Sequence, residues 1–236
     1  MKQELRPLSE QPEQPARKQK NLYEPYSTPR IFYETLRGLA YLIFPLIMRL
    51  TLRGHYNLPR RGPYIIVSNH LSWMDIPLIP FAVPGKVIYM AKEELFYSKI
   101  GWLVRFLGAF PVKRGEGDRQ ALRAAEELLK QGKVLIIFPE GTRSKTHTLG
   151  KAHSGTGMIA LRTGVPVVPV AIWGSENALK KFGARVTISY GEPIIFKPKG
   201  GKITREDIDN ATETMMQKIA AMLPPQYRGV YSEQVK

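Results

Sequence analysis

Val134-Leu135-Ile136-Ile137-Phe138 sets five apolar side chains in a row and then opens, without a spacer, on Pro139-Glu140-Gly141-Thr142-Arg143-Ser144. A run with no wet side predicts a strand buried on both faces, and such a strand needs cover above and below it. Tyr64-Ile65-Ile66-Val67 has the same character and leads into Ser68-Asn69-His70-Leu71-Ser72-Trp73-Met74-Asp75. Lys86–Ala91, Leu107–Val112 and Val165–Ile172 read as further strands, and Arg185–Tyr190 alternates like a strand with one wet face. Helical periodicity fills the gaps. Lys92–Phe96 turns into short helices through Trp102 and Phe106. Asp118 is placed to cap a helix with Leu122, Ala125 and Leu129 on one face, and Gly132 suits its end. Ser154–Thr163 is a glycine-rich helix stopped by Gly164, and residues 204–223 carry an apolar stripe of Ile208, Met215, Ile219 and Met222. Strands alternating with helices predict an α/β fold: a mixed, mostly parallel central sheet flanked by helices.

The ends of the chain have a different composition. Residues 1–30 hold five prolines, six Lys/Arg and four Asp/Glu with few aliphatic side chains, the makeup of a flexible arm. Gly38–Met48 is uncharged and mostly large, with Arg37 before it and Arg49 and Arg53 after it. At eleven residues the run is too short for the ~20 that a spanning helix needs, and Pro45 interrupts it. Residues 31–55 are therefore expected to lie in a membrane interface as an amphipathic helix or helix pair, with the arginines on lipid phosphates and Tyr33, Tyr41 and Phe44 at headgroup depth; a core-packing helix would have the same periodicity. An α/β domain over 56–224 and a tail over 225–236 complete the expected division.

With 35 Lys+Arg against 20 Asp+Glu, a formal charge of +15 calls for an anionic partner. Nucleic acid is disfavoured, because the basic stretch 180–205 has only Phe182, Tyr190 and Phe196 interleaved and no reading helix. An anionic membrane surface fits. The absence of cysteine excludes disulfides, thiolate metal sites and cysteine nucleophiles. His147 and His153 match no zinc spacing, so no metal is expected.

Three strand ends carry polar groups that a core does not require: His70 with Asp75, Lys113 with Arg114, and Glu140 with Arg143. Ligands of open α/β sheets bind beyond the carboxyl ends of strands. Neutral imidazole accepts a proton from an alcohol, and Asp75 is placed to orient His70. On one continuous helix the two would diverge by roughly 140°, so the pair meets only if His70 lies in the loop and the helix begins near Ser72. Ser72-x-x-Asp75 is also a capping-box variant, with His70 an ordinary loop histidine. Arg143 suits a bidentate phosphate clamp, with Lys113 or Arg114 as further charge. Glu140 either holds Arg143 or bonds a substrate hydroxyl, and Gly141 permits close backbone approach. Trp73, Trp102 and Trp173 read as packing residues.

These residues stand in four ordered blocks. Asn69–Asp75 is similar to the N-H-x4-D block of the glycerolipid acyltransferases, and Gly108–Arg114 resembles their second block, with Pro111 a mild departure. Phe138–Ser144 reproduces the third and Val165–Val170 resembles the fourth. The resemblance, specifically to the bacterial 1-acylglycerol-3-phosphate acyltransferases, covers roughly 60–195. It implies acyl transfer from acyl-CoA or acyl-carrier protein to the 2-hydroxyl of a lysophospholipid acceptor, lysophosphatidic acid, giving phosphatidic acid without a cofactor, by a protein peripheral to the cytoplasmic face of the membrane; the alternatives are another lysolipid or glycerol 3-phosphate as acceptor, or a non-enzymatic binder of anionic lipid. His70 and Asp75 would be catalytic, and Lys113, Arg114, Glu140, Gly141, Thr142 and Arg143 would bind substrate.

Overall fold

The computed structural model describes residues 29–112 and 119–234. Residues 1–28 of the expected flexible arm, Lys113, Arg114 and the Asp118 cap lie outside these residues. Seven strands form one sheet in the order β1-β7-β6-β2-β5-β3-β4. They are β1 (Met48–Arg53), β2 (Tyr64–Ser68), β3 (Val87–Lys92), β4 (Ala109–Val112), β5 (Val134–Ile137), β6 (Val167–Trp173) and β7 (Ala184–Tyr190). All pairings are parallel except β6 with β7. The central strand β2 is buried along its whole length, as its unbroken apolar run requires.

Alternate side chains of the inner strands enter two separate cores. Ile65, Val67, Leu135, Ile137 and Val167 face α5 (Arg119–Lys130), α6 (Gly155–Thr163) and α7 (Arg205–Met222). Tyr64, Ile66, Ile136, Val168 and Val170 face the other layer. That layer contains α1 (Arg30–Ile47), α2 (Asp75–Leu78), α3 (Glu93–Phe96) and α4 (Gly101–Phe106). Each large apolar side chain withdrawn from water in these layers contributes about 1.5–3 kcal/mol before the entropy of ordering it is subtracted. Helix α7 starts on a complete capping box between Thr204 and Asp207.

Both terminal boundaries differ from expectation. Helix α1 runs through Pro45, whose missing N–H orphans a single carbonyl close to the helix end, and stops at Ile47. Residues 48–53 are not part of an interfacial helix. They form the edge strand β1, paired in parallel with β7, so the sheet begins at Met48 and not after residue 55. Leu50 and Leu52 pack against the core, which explains the choice: these side chains find a sheet neighbour where a helix would leave them wet. Tyr41 donates its hydroxyl to the Phe81 carbonyl and Phe44 stacks on Phe81, so both face the domain. Arg37 pairs with Glu34 at 2.8 Å and also reaches the Val83 carbonyl. The residues that α1 turns outward are Ile31, Phe32, Leu36, Leu39, Leu42, Ile43 and Leu46.

The supposed tail is also part of the fold. Tight turns at Pro225–Tyr227 and Gly229–Tyr231 bring the Tyr227 carbonyl and the Val230 amide onto the two backbone groups of Leu149. Tyr227 donates its hydroxyl to Glu176 at 2.8 Å.

Helices α6 and α7 cross closely at Gly157, where an added Cβ would meet the Thr212 hydroxyl at 2.4 Å and the Ile208 carbonyl at 2.5 Å. At Gly155, on the same helix, the nearest atom would be Leu122 Cδ2 at 3.8 Å. Both substitutions gain similar helix propensity, so the packing decides. Gly157→Ala should destabilise by about 1–3 kcal/mol, while Gly155→Ala should be neutral or stabilising by up to about 1 kcal/mol, measured by urea denaturation.

Candidate active site

The end of β2 is tied to its neighbour before the chain turns. Asn69, fully buried, accepts the Ile172 amide and donates to the Ile172 carbonyl, both at 2.8 Å. His70 follows in a loop, and helix α2 begins only at Asp75. The fully buried Asp75 turns one oxygen, Oδ2, back to three donors: His70 Nδ1 at 2.7 Å, the Leu71 amide at 2.6 Å and the Ser72 amide at 2.8 Å. The loop thus curls around a single carboxylate oxygen, and this is how residues five apart meet. Half of a capping box is present too, since Asp75 accepts the Ser72 amide. The Ser72 hydroxyl, however, takes the Met74 amide at 3.2 Å.

With Nδ1 donating to a carboxylate, the Nε2 lone pair is left as the accepting face of the ring. One side of the imidazole lies on Phe138, with ring centroids 4.0 Å apart and planes 18° from parallel. The backbone of His70 is held on both sides by the segment that follows β5. Its amide donates to Glu140 Oε1 at 3.0 Å, and its carbonyl accepts the Ser144 amide at 2.8 Å.

Glu140 therefore has a different partner from those expected of it. It is 6% exposed, and its second oxygen accepts the Gly150 amide at 2.9 Å, so it braces the His70 loop and does not hold Arg143. Burial pushes its carboxyl up to about 7; the two backbone hydrogen bonds oppose the shift and the nearby Asp75 adds to it. Gly141 has φ +66°, and an added Cβ would meet the His153 ring at 3.0 Å. The close approach that this glycine permits is by His153, from within the chain.

Arg143 is exposed and lays its guanidinium over Trp73, 4.3 Å from the ring centroid. Trp73 is thus a cradle for a cation, where core or interface packing was expected. Thr142 is exposed beside it. The strands β2, β5, β3 and β4 run parallel, so the strand that leads into Lys113 and Arg114 ends on the same edge as His70 and Arg143. Sequence reasoning missed Asn69 as a tie, Phe138 as a platform and Gly150 as a brace. Asn69 and Phe138 stood inside the recognised blocks, but nothing in their spacing pointed to these partners.

The acyltransferase family model matches residues 49–173, which takes in β1 through β6 and the whole His70–Asp75 and Phe138–Ser144 arrangement. A Streptococcus pneumoniae protein named 1-acyl-sn-glycerol-3-phosphate acyltransferase is 34% identical over 70% of this chain and 63% of its own length. One of the same name from Bacillus subtilis is 31% identical over 69% of this chain and 82% of its own. The chain spans about half to two thirds of the length of the first of these and of two chloroplast relatives. The crystal structure of the 1-acyl-sn-glycerophosphate (LPA) acyltransferase PlsC from Thermotoga maritima superposes with a TM-score of 0.61 at 30% identity, covering 80% of this chain and 79% of that one. With its histidine–carboxylate pair at the strand ends and a family match over more than half of its length, this chain belongs to the acyltransferase family.

Proposed function

We propose that the protein transfers a fatty acyl group from a thioester to the 2-hydroxyl of lysophosphatidic acid, giving phosphatidic acid in phospholipid synthesis. The observation that carries this reading is the 2.7 Å contact of His70 Nδ1 with buried Asp75, on a strand edge shared with Arg143. Nε2 takes the proton of the acceptor hydroxyl as its oxygen attacks the thioester carbonyl. The C–O bond forms, the C–S bond breaks, and the imidazolium returns the proton to the departing thiolate. Asp75 fixes the tautomer and stabilises the imidazolium, as the carboxylate of a serine triad does for its histidine. The substrate alcohol takes the place of an enzyme nucleophile, and the reaction balances without a cofactor.

Arg143, stacked on Trp73, binds the acceptor phosphate, with Lys113 and Arg114 as further cations and Thr142 and Gly141 shaping the same subsite. Glu140 is a positioning residue. The donor is acyl-CoA or acyl-carrier protein. Among the described residues no helix is long and apolar enough to cross a membrane, and the outward apolar face of α1 supports peripheral membrane association, which this reading sets on the cytoplasmic face.

A donor and acceptor screen with mass spectrometry of the lipid product tests the reading; turnover of a different lysolipid in preference to lysophosphatidic acid would overturn the acceptor. His70→Ala should lower kcat by about 10² to 10⁴ with little change in KM. Arg143→Ala should chiefly raise KM for the acceptor, by about 10- to 100-fold, because it loses a charged hydrogen-bonding partner; steady-state kinetics in detergent micelles separates the two.

Glu140→Gln should lower kcat and leave both KM values near wild type. It should also change the pH dependence of stability. A carboxyl raised from 4.5 to about 7 binds its proton more tightly in the folded chain than in the unfolded one. Its contribution is therefore fully favourable below about pH 4.5, falls as pH rises to about 7, and is level above that. Glutamine has no proton to lose, so the stability of Glu140→Gln relative to wild type should climb across this window, by up to about 3 kcal/mol. Urea denaturation between pH 5 and 8 measures it; a difference that does not vary with pH would contradict it.

A further inference from the structure

The loop between β6 and β7 carries two large apolar side chains that the domain does not use. Leu179 is 73% exposed and Phe182 83% exposed, with Lys180 and Lys181, both exposed, between them. The loop is nonetheless built. Ala178 is buried beneath it, the Lys180 and Lys181 amides both donate to the Asn177 carbonyl at 3.0 Å, and Gly183 closes it at φ +71°. The Ala184 amide returns to the Lys181 carbonyl at 3.0 Å. A phenyl ring held in water by an ordered turn, where a polar residue would serve the turn equally well, points to an apolar partner.

Two observations identify that partner. The first is continuity with α1. The Gly183 amide donates to the Ile47 carbonyl at 2.9 Å, so Phe182 and Leu46, itself 71% exposed, are each the immediate chain neighbour of a bonded residue. The end of α1, with its outward apolar side chains, therefore lies beside the loop. The second is charge. Residues 178–191 contain Lys180, Lys181 and Arg185 and no acidic residue, and exposed Arg49 lies opposite Arg185 in the β1–β7 register. Large apolar tips ringed by cations match an anionic bilayer surface, where the rings enter the acyl boundary and the ammonium groups stay among the phosphates.

The topology places this surface at the catalytic edge. β6 runs parallel to β2, so Trp173 ends near the level of His70, which follows Asn69 and its bonds to Ile172. β7 returns antiparallel with Trp173 opposite Thr187, so its start at Ala184 reaches three residues farther out, about 10 Å along the strand direction. A lipid standing in a bilayer that meets Leu179 and Phe182 would present its headgroup region near the depth of His70.

We propose that the Leu179–Phe182 turn is a second membrane-insertion point, which with the end of α1 seats the catalytic edge on an anionic bilayer. The proposal rests on the peripheral-membrane reading above, and the test separates the two. Because the chain has no cysteine, Phe182→Cys gives a single labelling site for an environment-sensitive fluorophore. Exposed Gln131, which follows α5 and precedes β5 at the opposite edge of the sheet, gives Gln131→Cys as a control.

With the full-length protein and vesicles of phosphatidylcholine containing phosphatidylglycerol, emission at position 182 should shift to the blue and brighten, and emission at 131 should not. The unlabelled double variant Leu179→Ser/Phe182→Ser should bind these vesicles at least about tenfold more weakly in flotation assays, with an unchanged circular-dichroism melting temperature. Wild-type binding together with an unresponsive label at 182 and an equally tight double variant would overturn the loop proposal and leave the peripheral-membrane reading standing. Failure of the wild type to bind anionic vesicles would overturn both. Equal binding to pure phosphatidylcholine would overturn the anionic requirement.

Discussion

The site depends on one oxygen atom. Asp75 Oδ2 gathers the His70 imidazole and the amides of Leu71 and Ser72 within 2.8 Å, and this convergence brings residues five apart into contact. Such a carboxylate is tolerable at full burial because donors converge on it; an unpaired charge there would be prohibitively costly. The same atom sets the loop, fixes the imidazole tautomer and aims the free ring nitrogen. Structure and chemistry are here one arrangement, and a substitution at Asp75 would disturb both together.

Around this atom the sheet supplies rigidity. Asn69 locks the end of β2 to β6, and the segment after β5 grips the His70 backbone through Glu140 and Ser144. The brace extends outward from Glu140 to Gly150, and Leu149 beside it is held by the turns at Pro225–Tyr227 and Gly229–Tyr231. Arg143 on Trp73 meets solvent, a long cation steadied by an aromatic face with no salt bridge to it among the described residues. On the proposed reading this division suits acyl transfer, with a fixed base at His70 and a cation at Arg143 that adapts to a headgroup.

Much of this was legible in the residues themselves. Unbroken apolar runs such as Val134–Phe138 identified central strands, because only a sheet covered on both sides removes the need for alternation. The His70–Asp75 pair was visible as a spacing that excluded a continuous helix. What escaped was whatever depended on a distant partner. Met48–Arg53 looked like the end of an interfacial helix because its strand neighbour, Ala184–Ser189, lies more than a hundred residues on. Glu140 was left between Arg143 and a substrate hydroxyl, yet its partners are backbone amides that carry no sequence signature. Residues 225–231 looked like a tail because single turns of helix have no periodicity to read.

The contrast between the dyad and its mounting bears on how the active state arises. His70 and Asp75 are five residues apart, so closing that loop costs little entropy and needs few other contacts. Its supports join residues 70 and 140, and 69 and 172, separations that only a nearly complete sheet can bridge. A partly folded chain can therefore bring His70 and Asp75 together early and still lack the scaffold that holds them in register. The bracing of the pair is thus a property of the whole sheet.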